Sequence, residues 1–118
     1  MGGLHIISEF FGCKNSDMLK NKEEMEKKLS DIVSENGLTV VGTYFHQFGE
    51  GNGVTGVVVL AESHVSIHTW PERENFVNID VFVCNVTQDN TGKAKAVYEK
   101  MKEMLNPESE DTQEVMRK

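Results

Sequence analysis

Glu62-Ser63-His64-Val65-Ser66-Ile67-His68-Thr69-Trp70-Pro71-Glu72 is the stretch on which the reading of this chain turns. From His64 to Trp70 the residues alternate. Val65 and Ile67 point one way, and His64, Ser66, His68 and Trp70 point the other. That period of two predicts a strand with one buried and one polar face. Pro71 cannot donate to a ladder and should end it. Two serines, two histidines and two carboxylates fall within the run.

Working outward, similar segments flank it. Val54 to Ala61 is nearly all apolar, as expected of a central strand covered on both faces. The glycine-rich stretch Phe48-Gly49-Glu50-Gly51-Asn52-Gly53 connects it to a strand over Leu38 to Phe48, rich in Val, Thr, Tyr and Phe. Downstream, Phe76 to Cys84 alternates, so Asp80, Phe82 and Cys84 share a face. Leu4 to Phe11 makes a first strand ending near Gly12. Met25, Leu29, Ile32 and Val33 lie on one side of an amphipathic helix, with N-caps on offer at Asn15, Ser16 or Asp17 and a stop at Asn36-Gly37. Thr91 can cap a second helix with the stripe Ala94, Val97, Met101, Met104 and Leu105. Pro107 ends it. Glu108 to Lys118 is polar and reads as a tail, with at most a short edge strand near Val115. The order predicts an α+β two-layer sandwich: an antiparallel sheet with two helices on one face.

Length fits a single domain over 1–118. A core of this size has little surplus, so dimerisation would help stability. The net charge is −7 and Lys and Arg form no basic stripe, which argues against nucleic acid. No segment has the roughly 20 apolar residues of a membrane span, and the start resembles no secretory signal. Cys13 and Cys84 make no CxxC, and in a chain without an export signal they are expected to be reduced. These points suggest a cytoplasmic protein with no membrane partner.

On residue types alone, several chemistries stay open. Ser63 lies in no G-x-S-x-G elbow, so a hydrolase nucleophile is not indicated. A strained junction at Glu62-Ser63 would favour attack of the hydroxyl on the preceding carbonyl. The resulting ester needs a base to remove the serine α-proton, and a histidine titrates in the right range. His68 is one candidate. On an ideal strand it has the opposite parity to Ser63, so the two meet only if the chain kinks near 63–64 or the strand is not regular. The bland alternative is a polar sheet face. A metal site from His46, His64, His68 and Cys84 is a third reading, against which H-x3-H suits a helix better than a strand. Cys84 alone is commonly a small buried hydrophobe.

Beyond these readings, the chain resembles the prokaryotic S-adenosylmethionine decarboxylases. Glu62-Ser63-His64, Ile67-His68-Thr69-Trp70-Pro71-Glu72, Ile79-Asp80-Val81-Phe82 and Cys84 occur in the family's order and at nearly its spacing. Gly53-Val54 and the first strand from His5 to Cys13 fit as well, and the likeness spans roughly 3–105. It implies a proenzyme that cuts its own Glu62-Ser63 bond into 1–62 and 63–118. Ser63 becomes a pyruvoyl group, and the substrate amine joins it as a Schiff base. His68 corresponds to the histidine that promotes processing, Cys84 to the proton donor, and Thr55 to a processing serine. Phe48 and Glu72 correspond to substrate-binding positions. Neither a metal nor pyridoxal phosphate is implied, and the product serves spermidine and other polyamine synthesis. A homodimer of processed protomers is expected, each site drawing Glu72 or loop 48–53 from its neighbour.

Three departures bear on the substrate. Loop 49–52 is longer and acidic at Glu50. Segment 73–78 differs from the family's usual stretch. Val83-Cys84-Asn85 replaces Thr-Cys-Gly. Related enzymes of this fold act on arginine or ornithine, and Glu50 would suit such a cation. The other alternative is an inactive homologue acting as a binding or regulatory dimer.

Overall fold

The computed structural model describes residues 2–118. In chain order the elements are β1 (Gly3–Phe11), a single 3-10 turn (Met18–Lys20), α1 (Lys22–Glu35), β2 (Val40–Gln47), β3 (Val54–Leu60), β4 (Ser63–Trp70), β5 (Phe76–Cys84), α2 (Thr91–Leu105) and β6 (Ser109–Arg117). The strands form one sheet in the order β2-β3-β4-β5-β1-β6. All neighbours are antiparallel. The expected α+β sandwich is present. The first strand is thus set between two that come much later in the chain.

Alternation decides which face each strand buries. Leu4, Ile6 and Phe10 of β1, Val65 and Ile67 of β4, and Val77, Ile79, Val81 and Val83 of β5 are all buried. They pack with Met25, Leu29 and Val33 of α1 and Ala94, Val97, Met101 and Leu105 of α2. At about 25 cal/mol per Å2 of apolar surface removed from water, this one-sided core is the main favourable term. Thr69 is the polar member of the buried row on β4. Its hydroxyl donates to the Leu19 carbonyl at 2.7 Å and accepts from the Val54 N–H at 2.8 Å.

Four expectations need correction. Residues 109–117 are a nine-residue edge strand along the whole of β1, where a polar tail with a short edge strand near Val115 was expected. Its charged residues hid it, and charge is how exposed edges avoid unwanted pairing. Tyr98, Thr112, Glu110 and Ser8 anchor it: Thr112 lies 2.7 Å from the buried Ser8 hydroxyl, and Tyr98 bonds both Glu110 and Thr112. The first long helix is capped by Asn21, whose Oδ1 accepts the Glu24 N–H at 3.0 Å, and not by residues 15–17, which lead into the 3-10 turn. Thr91 is the first helical residue of α2; Asn90 occupies the cap position. Finally, β3 is covered on one face only. Val57 is half-buried and Val59 is 42% exposed on the side without helices.

Candidate functional site

The helix-free face of the sheet is laid out in rows, because directly paired residues share a face. One row runs Thr55, His68, Asn78, Glu9, Asp111 across β3, β4, β5, β1 and β6. The next is Val57, Ser66, Asp80, Ile7, Gln113, and the third Val59, His64, Phe82, His5, Val115. The second and third rows are tied by His5 Nε2 to Asp80 Oδ1 at 2.9 Å, and within the second the Ser66 hydroxyl donates to Asp80 Oδ2 at 3.2 Å. Arg117 lies over the Phe82 ring.

At one end of this face is the Glu62-Ser63 bond. Leu60 pairs with Ser63, so Ala61 and Glu62 form a two-residue hairpin loop. Such loops normally take positive φ within the loop, and glycine or asparagine supply it. Neither Ala61 nor Glu62 has positive φ; Ser63 does, at 148°. A side chain held in that region costs on the order of 1–3 kcal/mol, so strain sits on the residue following the bond. The loop is clamped. Thr39 donates its N–H to Glu62 Oε1 at 3.0 Å and its hydroxyl to Oε2 at 3.2 Å, and the Thr39 carbonyl accepts the Ala61 N–H at 2.9 Å.

The backbone carbonyl of Glu62 accepts the Cys84 N–H at 2.9 Å. That contact brings Cys84 beside the bond and aims a donor at the oxygen on which charge would develop if the carbonyl were attacked. Cys84 is fixed from behind by the buried Asn90. Its Nδ2 donates to the Cys84 carbonyl at 2.8 Å, while its own N–H donates to Asn85 Oδ1 at 2.7 Å. Asn85, a departure in the sequence, thus organises the turn after the thiol. The Asn90 Oδ1 has no partner among the described residues. The Ser63 hydroxyl lies 3.3 Å from His64 Nδ1.

At the other end of the face lie Thr55 and His68, with Thr55 Oγ1 2.6 Å from His68 Nδ1. They line a cleft of about 450 Å³ with Phe48, Asn52, Gly53, Thr69, Trp70 and Glu72. The backbone is irregular at Ser63, whose φ is positive, but β4 then runs unbroken to Trp70, so this does not bring the serine to His68. Five residues at about 3.3 Å each separate Ser63 from His68 by roughly 16 Å along the strand. Within one chain, then, the predicted residues form two groups, Glu62, Ser63 and Cys84 at one end and Phe48, Thr55, His68 and Glu72 at the other. Glu50 joins neither. It is exposed in the turn 49–52 and does not line the cleft within one chain.

Thr39, Asn90 and the pairing of His64 with Ser63 were not read from the sequence. Thr39 acts on Glu62 across 23 residues of chain, and Asn90 reaches back over the turn that follows Cys84; no motif announces either. His64 was read as a polar-face residue or as one ligand of a metal site, not as a partner of Ser63. Among the described residues, no three His, Cys, Asp or Glu side chains converge as ligands for one ion. Among the described residues, no helix is long and apolar enough to cross a membrane. Burial pushes the Cys13 thiol up to about 11, so it stays protonated and unreactive.

Comparison with known proteins is consistent throughout. A family model described as S-adenosylmethionine decarboxylase matches residues 4–118. The S-adenosylmethionine decarboxylase proenzyme of Archaeoglobus fulgidus is 40% identical over 107 residues, covering 91% of this chain and 89% of its own. That of Methanococcus maripaludis strain C5 is 40% identical over 117 residues, covering 98% and 88%. The crystal structure of the adenosylmethionine decarboxylase from Aquifex aeolicus superposes with a TM-score of 0.85 at 34% identity, over 98% of this chain and 90% of the other.

Proposed function

Because the chain belongs to the S-adenosylmethionine decarboxylase family, we propose that it is a self-cleaving proenzyme whose mature form decarboxylates S-adenosylmethionine. The observation that carries this is the geometry at Glu62-Ser63: a strained serine follows a carbonyl already hydrogen-bonded by the Cys84 N–H. The Ser63 hydroxyl adds to the Glu62 carbonyl carbon, and the Ser63 nitrogen leaves as the amine, giving an ester. Loss of the Ser63 α-proton to a base then expels the Glu62 carboxylate at the end of fragment 1–62. Water displaces ammonia from the dehydroalanine that remains, and residue 63 becomes a pyruvoyl group. Relief of the φ strain assists the first step.

The pyruvoyl group supplies an electron sink for the loss of CO2, the part that pyridoxal phosphate plays elsewhere. The chain's own residues do the rest. Cys84, next to residue 63, is placed to return a proton to the substrate α-carbon. Glu72 offers a carboxylate to ribose hydroxyls, and Phe48 and Trp70 offer flat apolar surface to a purine. Free thiols at Cys13 and Cys84 fit a reducing cytoplasm. The product is an aminopropyl donor of the kind spermidine synthesis consumes.

We place the complete centre between two copies of the chain. The two residue groups lie at opposite ends of one uncovered face that carries Ile7, Tyr44, Val59 and Val115 exposed. A two-fold axis through that face would set Ser63 and Cys84 of one protomer against Thr55, His68, Phe48 and Glu72 of the other. It would also cover the second face of β3, whose apolar sequence asks for cover. A second reading keeps the processing base in the same chain, as His64, which lies closest to the Ser63 hydroxyl.

The basic experiment is mass spectrometry of purified protein. Fragments 1–62 and 63–118 are expected, the latter without its amino nitrogen and with a keto group. Ser63→Ala should remain whole and release no CO2 from carboxyl-labelled S-adenosylmethionine. An active protein with the 62–63 bond intact would overturn the mechanism, and release from arginine or ornithine alone would overturn the substrate.

A further inference from the structure

Asn78 stands in the middle of β5, a strand paired on both sides. Asparagine is disfavoured there, so its presence calls for a local partner. The partner is Trp70, whose Nε1–H donates to Asn78 Oδ1 at 3.0 Å. Asn78 lies directly across from His68, and Trp70 two residues on from His68, so all three are on the helix-free face. Trp70 lines the cleft that holds Phe48 and Glu72, while Asn78 does not. The Arg73 guanidinium sits 5.4 Å from the centre of the indole ring, within the range of a cation–π contact.

We infer that Asn78 is a positioning residue that sets the Trp70 indole as a fixed wall of the substrate cleft. This rests on the reading of that cleft as the substrate site. The indole N–H is a donor with no acceptor of its own. In an open cleft, water can satisfy it. Once substrate fills the cleft, that water is lost, and a donor left bare weakens binding. Asn78 supplies the acceptor beforehand and fixes the ring's rotation. Arg73 holds one face, leaving the other for a flat group of the ligand. Ordering the wall before binding removes a conformational cost from the binding step.

The chain has a single tryptophan, so its fluorescence reports on Trp70 alone. The probe is 5′-methylthioadenosine, which keeps the nucleoside and has no carboxylate to lose, titrated into processed wild-type, Asn78→Ala and Asn78→Asp proteins. Wild-type emission should be quenched on binding. Asn78→Ala should lower the anisotropy of the unliganded indole, weaken binding about tenfold and raise KM similarly, with kcat within about twofold. Asn78→Asp, which keeps an acceptor, should restore both anisotropy and affinity. Equal anisotropy and affinity in wild type and Asn78→Ala would overturn the inference. Absence of quenching in the wild type would instead overturn the assignment of the cleft, and the anisotropy of the unliganded proteins would still decide the role of Asn78.

Discussion

At the residue scale, Thr55 and His68 show what one hydroxyl can contribute. The 2.6 Å contact between them holds the imidazole in one orientation. Thr55→Val removes the hydroxyl at nearly constant volume. Self-cleavage should slow about tenfold, the equivalent of roughly 1.4 kcal/mol for one hydrogen bond to a working group. Thr55→Ser should cleave at close to the parental rate. Densitometry of the intact band against time distinguishes them, and equal rates for Val and Ser would remove Thr55 from the processing machinery. Individual site residues were legible because the run 62–72 holds them in a short compass. Their supports were not. Thr39 meets Glu62, and Asn90 meets Cys84, only because hairpin and helix-cap geometry bring them there.

At the element scale, the strands were readable from their period of two, and β6 was the exception. Its nine residues hold four charges and little apolar surface, so no pattern distinguished it from a solvated tail. Its partner is β1, and pairing with a distant strand leaves no local trace. The Glu110 carboxyl would be raised by burial. Bonds from Lys102, Tyr98 and Thr112 outweigh that and hold it below the ordinary carboxylate range. A depressed folded value stabilises above the unfolded one and is lost as pH falls through it. Burial first, and then the Glu110 bond, raise the Tyr98 phenol; that contribution is present at neutrality and is lost as pH rises through the raised value. Docking of β6 should therefore loosen below about pH 4.5 and again above about pH 10. Accelerated amide exchange in 109–117 in acid, ahead of the helices, is the check. Closer to the core, Gly56 faces the Phe45 ring directly across β2 and β3, and an added methyl would overlap it. Gly56→Ala in the uncut Ser63→Ala chain should cost about 1–3 kcal/mol and lower its Tm by several degrees, measured by calorimetry.

On the scale of the whole molecule, the separation of Ser63 from His68 carries the clearest prediction. Neither Ser63→Ala nor His68→Ala alone should process at the parental rate. Expressed together, they can form mixed dimers in which one centre has an intact serine from one chain and an intact histidine from the other. The His68→Ala chain should then be cut, and only when its partner is present. Cutting unaffected by the partner would place the base within the same chain, at His64. The cut itself has a lasting topological effect. Fragment 1–62 contributes β1, which is gripped on its two edges by β5 and β6, while β3 is zipped to β4; the nick therefore frees no edge and opens no seam. A broken polypeptide held in this way behaves as a dovetail joint. The halves should co-migrate through every native column, part only in denaturant, and reassemble poorly once parted, since each was shaped around the other while still one thread.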